Sequence, residues 1–161
     1  MPFTPLHLGP GALLKGVGGD RFSFLVFGGS QVLIDIEPGY RMLAGDPILH
    51  GSSHTLSGAL VIGGIATLAG KPISEFVLRR LGAARPGMTW TAAALGAFLG
   101  TYSHLLPDAI MHSDMKPWAP LTNNNPLYGA ISISALHIVC VVLGIVGGVF
   151  FWFRRNTRQT R

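Results

Sequence analysis

Charge is scarce in this sequence: Asp, Glu, Lys and Arg make up only 12% of its 161 residues, where soluble domains carry about 25%. Cysteine is scarcer still. The lone Cys140 excludes a disulfide framework and any cysteine-rich zinc ribbon. A phosphate-binding loop is missing too, because Gly9-Pro10-Gly11 and Gly16–Gly19 lack both the Lys-Ser/Thr pair and a strand–helix setting. There are no internal repeats or low-complexity tracts. The start has no basic segment leading into a short apolar run and a small-residue cleavage site, so no cleavable signal peptide is expected. What the chain has in abundance is apolar: 48% hydrophobic residues and 22 glycines, with a mean hydropathy of +0.44. That balance excludes a disordered chain. The length suits one domain. The expectation is a single integral membrane domain over residues 1–161, an all-α, polytopic helical bundle.

The longest apolar run, Gly129 to Phe153, holds 25 residues without a formal charge. As a helix it covers roughly 37 Å, more than the ~30 Å hydrocarbon core. Aromatic residues Phe150 to Phe153 close it, and Arg154, Arg155, Arg158 and Arg161 follow, a stop-transfer pattern. A second span is predicted over Gly87 to Pro107, starting beside Trp90. Two shorter stretches, Phe22 to Ile36 and Thr55 to Gly70, give about four spans in all, two of them short. His7 to Val17 is at most a short N-terminal half-helix, broken by Gly16, Gly18 and Gly19. Small residues such as Gly58, Gly63, Ala92 and Gly96 suit close helix packing in lipid.

If these stretches alternate across a bilayer, the 12 basic residues divide sharply. Lys15, Arg21, Lys71, Arg79, Arg80, Arg85, Arg154, Arg155, Arg158 and Arg161 fall on one side; only Arg41 and Lys116 fall on the other. The positive-inside rule makes the first side, with the carboxyl terminus, cytoplasmic. This accounts for the +5 net charge and the pI near 10.0 without nucleic acid. Anionic membrane lipids are the expected partners of that rim. Asp35, Glu37, Asp46, Asp108 and Asp114 collect on the opposite side, where His7, His50, His54, His104 and His112 can join them.

His104 and Asp108, four apart near the end of an apolar helix, share one face and can converge on one point. His112 continues that face if the helix survives Pro107. Asp35 ends the first short span, and His54 opens the next with His50 four residues earlier. A nitrogen-and-oxygen ligand set suits Zn²⁺, with Mn²⁺ or Fe²⁺ as alternatives. Taken singly, these residues could be structural: a hydrogen-bonded pair, a helix-ending turn, loop histidines. Together they are several costly ionisable groups at one membrane depth, which points to function. His137 reads as an interhelical hydrogen-bonding residue, Cys140 as a small buried hydrophobe and Trp118 as an interfacial anchor.

Five segments in order, Met1–His7, Gln31–Pro38, His50–Thr55, Ser103–Asp108 and His112–Pro120, resemble the bacterial inner-membrane-bound metal-dependent hydrolases, a family sometimes described as LexA-binding. The resemblance runs from about Met1 to Leu127. It implies that His7, Asp35, His50, His54, His104 and Asp108 bind metal. Gly51-Ser52-Ser53 departs from the family, whose members tend to carry Arg and a bulky residue between the paired histidines. A contact from that Arg to an anionic substrate would be missing here.

Two functions are carried forward. The first is a membrane-embedded zinc hydrolase of a lipid-borne or periplasmic ester or phosphodiester. His7, Asp35, His54, His104 and Asp108 would be its ligands, and Glu37, Asp114 or a non-ligating His50 its general base. The second is a non-catalytic accessory subunit of a larger membrane protein complex, with a structural or vestigial metal site. An ion or proton pathway fits less well, because the titratable residues gather at one end rather than crossing the bilayer.

Overall fold

A computed structural model describes residues 5–83 and 87–159, without side chains for 158 and 159. Arg85, Arg161, the Arg158 side chain and the Met1–Thr4 part of the first motif therefore lie outside the described residues. All regular structure among the described residues is helical, with no strand. In chain order the α-helices are α1 (Leu8–Gly18), α2 (Phe24–Ile34), α3 (Ile36–Leu43), α4 (Leu56–Arg80), α5 (Trp90–Met111) and α6 (Ile133–Gln159). Single 3-10 turns occupy Pro5–His7, Gly19–Arg21 and Ser52–His54.

Local chemistry sets the helix starts. Ser23, Thr55 and Thr89 each accept a hydrogen bond from the amide three residues on, capping α2, α4 and α5. Gly19, at φ 57°, ends α1 in a backbone conformation that a side chain would strain. Asp35 ends α2, which fills the expected Phe22–Ile36 span, and separates it from α3, so two short helices follow one another. The second of them leaves Ile36, Tyr40 and Leu43 exposed. The expected Thr55–Gly70 stretch instead runs on to Arg80 through Pro72. Lys71 does not stop it, because an ion pair with Glu75 one turn later, at 2.8 Å, takes up its charge.

α5 is the centre of the molecule. Its small face, Ala92, Ala93, Gly96, Ala97 and Gly100, is buried against α2 and α4. α1 packs along α6, with Gly9 against the Cys140 backbone and Gly16 against that of Gly147. The Arg154 guanidinium closes this pair by donating to the Gly16 and Val17 carbonyls.

α4 and α6 are long and apolar enough to cross a membrane, with mean hydropathies of 1.4 and 2.4, and only 17% of each such stretch is buried within the protein. The 22 residues of α5 also span about 33 Å as helix. Its inward Thr101, His104 and Asp108 dilute its apolar character. α2, at 11 residues, covers only about 16 Å.

α1, α4 and α6 run one way and α2 and α5 the other. Ser23 N donates to Ala92 O, and the Lys71 ammonium sits over the Trp90 ring. The α1–α2 turn, the start of α5 and the later half of α4 thus share one end with Arg154. Lys15, Arg21, Lys71, Arg79, Arg80, Arg154 and Arg155 gather there. Arg41 and Lys116 belong to the opposite end, with the loops at 44–55 and 112–132.

Candidate metal centre

Four polar side chains from three parts of the chain meet inside the second end. Asp35 comes from the α2–α3 junction, His54 from the turn before α4, and His104 and Asp108 from successive turns of α5. One ligand atom from each lies within 4.8 Å of all the others, and all four residues are buried. His104 Nε2 is 3.0 Å from Asp108 Oδ2 and 3.2 Å from Asp35 Oδ1. His54 Nε2 is 3.4 Å from Asp108 Oδ2 and 3.7 Å from Asp35 Oδ1. The gathering expected from sequence is therefore present, and Pro107 leaves α5 unbroken to Met111.

The cluster is incompletely satisfied by hydrogen bonds alone. His54 Nε2, Asp108 Oδ1 and His7 Nε2 are buried with no hydrogen-bond partner. Such groups cost about 1–3 kcal/mol each when left unmade. Two imidazole nitrogens and two carboxylates converging this way fit a divalent cation such as zinc. The ring of His54 is aimed by Ser53, whose Oγ lies 2.8 Å from His54 Nδ1. Fixing the far nitrogen of a ligating imidazole is the usual way its tautomer and direction are set. His7 packs edge-on against the His104 ring, Nδ1 to Nδ1 at 3.3 Å, with its Nε2 3.8 Å from Asp108 Oδ1. It borders the four-residue group without belonging to it.

The three residues expected to act as bases sit one step further out. Glu37 accepts from Ser53 N at 2.6 Å and from Arg41, anchoring the turn that carries His54. Burial disfavours its charge, but the hydrogen bonds from Ser53 and Arg41 prevail and hold its carboxyl below the ordinary range. Asp114 accepts from the Leu49 and His50 amides at 2.9 and 3.0 Å and lies 3.0 Å from His50 Nδ1. Burial opposes its charge too, and the hydrogen bonds from His50 and Leu49 outweigh it. His50 lies edge-on to His54 and tilted against His112, its ring centroid 4.3 Å from that of His112. Desolvation lowers both His50 and His112 below the ordinary imidazole value.

Two contributors were not singled out from the sequence as site residues. Gln31 is fully buried, and its Nε2 donates to the His7 carbonyl at 3.1 Å, tying the N-terminal turn to α2. A polar residue within an apolar stretch was the one available hint. Asn125 donates to the carbonyls of Ala109 and His112, closing the end of α5. Beside the cluster an apolar groove of about 730 Å³ opens between α2–α3 and α4. Leu33, Ile36, Val61 and Ile65 line it, and Ser52 and Ser57 stand along it.

Comparison with family models, curated proteins and solved structures finds no match for this chain.

Proposed function

We propose that the chain is a polytopic protein of the bacterial inner membrane, and a zinc hydrolase acting on a lipid-borne or periplasmic ester or phosphodiester. The observation that carries this reading is the buried meeting of Asp35, His54, His104 and Asp108, in which His54 Nε2 has no hydrogen-bond partner. Asp35, His54, His104 and Asp108 are the ligands, with His7 beside them. Bound there, a divalent ion would polarise a scissile group and lower the pKa of its water toward 7. Ser53 aims His54, Glu37 steadies the Ser53 turn, and Asp114 holds His50 at the mouth.

Four spans are proposed, with α5 and the short α2 joining α4 and α6 in the bilayer and α1 as a half-helix beside them. The segregation of basic residues at one end supports a cytoplasmic carboxyl terminus. His104 lies seven residues from the end of α5, about 10 Å along the helix. That depth supports a site just below the outer surface. The adjoining apolar groove supports a substrate with an acyl chain, its polar group turned toward Ser52 and the cluster.

One observation favours a second reading. An ion taking all four ligands would have no open position, which is the mark of a structural site, and the cluster is almost wholly buried. Under that reading the chain is an accessory subunit, and a stable complex should co-purify in mild detergent.

Metal analysis of the detergent-purified chain tests the first reading. Stoichiometric zinc in the parent and its loss in His104→Ala with Asp108→Ala are expected. Absence of metal from the parent would dismiss the site. Zinc that resists removal, with no hydrolysis of phospholipid or of generic ester and phosphodiester substrates, would select the accessory role.

A further inference from the structure

We propose a second cation site, formed by His50, His112 and Asp108, so that the Asp108 carboxylate bridges two divalent ions. This extends the metal-binding part of the reading above and rests on it. One ligand atom from each of His50, Asp108 and His112 lies within 4.8 Å of the other two. Asp108 thus belongs to both groups. Its Oδ2 is turned toward His104 and His54, while Oδ1, buried without a hydrogen-bond partner, has His7 Nε2 as its neighbour at 3.8 Å. A carboxylate that is 3% exposed and shared by both groups is suited to bridging, because a carboxylate has two oxygens to offer.

His50 is prepared for ligation in the way metal-binding imidazoles commonly are. Asp114 sits at 3.0 Å from its Nδ1, which fixes that nitrogen as the proton carrier and leaves Nε2 as the electron-pair donor. The same carboxylate receives the Leu49 and His50 amides, so the loop before α4 is clipped to the loop after α5. The clip places the His50 and His112 rings against each other at the edge of the buried cluster. His112, one residue past α5, is held by its amide bond to the Asp108 carbonyl at 2.9 Å. Charge also favours two ions. Asp35, Asp108 and Asp114 supply three negative charges, which overbalance one divalent ion and leave two with a net positive charge for an anionic substrate. The second group has only three protein ligands, so an ion there keeps an open position.

The test uses the full chain in detergent, stripped with a chelator and then titrated with Zn²⁺ alone. Two equivalents are expected in the parent and one in His50→Ala with His112→Ala. One equivalent in the parent, retained by the double variant, would overturn the second site and leave the first standing. No binding in the parent would remove both. A variant-free measurement guards against misfolding: the parent loaded with Mn²⁺ should give the spectrum of a magnetically coupled pair in electron paramagnetic resonance. Two Mn²⁺ ions with uncoupled six-line spectra would exclude Asp108 as a bridge.

Discussion

The substitution His54→Ala separates a metal ligand from a merely buried histidine. His54 is fully buried, Ser53 engages its Nδ1, and its Nε2 has no hydrogen-bond partner. Removing the ring leaves a cavity whatever its role, so loss of stability without metal decides nothing. The zinc-dependent increment does. At free zinc about 100 times Kd, binding adds roughly 2.7 kcal/mol to the stability of the parent. Structural zinc sites bind with about 10–16 kcal/mol in all, so one of four ligands carries ~2.5–4 kcal/mol, or roughly 10²–10³-fold in Kd. At the same free zinc the variant then keeps less than about 0.5 kcal/mol of that increment. For a chain of this size, where 1 kcal/mol is ~2–4 °C in Tm, the parent should gain about 5–11 °C on adding zinc. With both chains also carrying His50→Ala and His112→Ala, so that only the four-residue site can respond, the variant should gain no more than about 2 °C. Thermal unfolding in detergent, with and without zinc, reads this directly. His137→Ala, in the second turn of α6 and outside both clusters, serves as a control that should keep the full gain. Equal zinc-dependent gains in the parent and His54→Ala would refute the ligand assignment.

Ser53→Ala leaves His54 in place but frees its Nδ1; zinc affinity should fall about 10–100-fold, as measured by competition with a chromophoric chelator. Gly147→Val should loosen α6 from α1, because any side chain there meets the Ala12–Leu13 backbone; the overpacking should cost about 1–3 kcal/mol, seen as a lower Tm with zinc stoichiometry unchanged. The pH dependence of the metal-free protein follows from His50 and His112, whose folded values lie below the ordinary 6.5. As pH falls below about 6.5 the unfolded chain takes up protons before the folded one does, so stability should decline with pH. Replacing both histidines with Gln should flatten that decline in Tm against pH. An unchanged slope would show that other groups govern it.

The long apolar helix at the carboxyl terminus could be read from the sequence, because 25 residues without charge followed by arginines leave few alternatives. α4 was harder to bound. Lys71 and Pro72 look like stops, and only the Lys71–Glu75 ion pair shows how the helix passes them. The end of the first short span at Asp35 was legible from the charge that interrupts it, but the short helix α3 that follows it was not. At the candidate site, the pairing of His104 with Asp108 follows from helical spacing alone. The assignment of Glu37, His50 and Asp114 as bases rested on their nearness in the chain to the ligands. The structure puts Glu37 and Asp114 behind other residues as hydrogen-bond acceptors and brings His50 against His112.

The sequence by itself determined that the chain is helical with helices long and apolar enough to cross a membrane, because few charges interrupt its hydrophobic runs. It also determined that the basic residues and the histidines lie at opposite ends, since both follow from order along alternating helices. Tertiary structure decided which polar groups share one point. The approach of Asp35 and His54 to Asp108 depends on how α2 and α4 pack against the small face of α5, and that is a matter of side-chain fit across long separations, to which local spacing is blind.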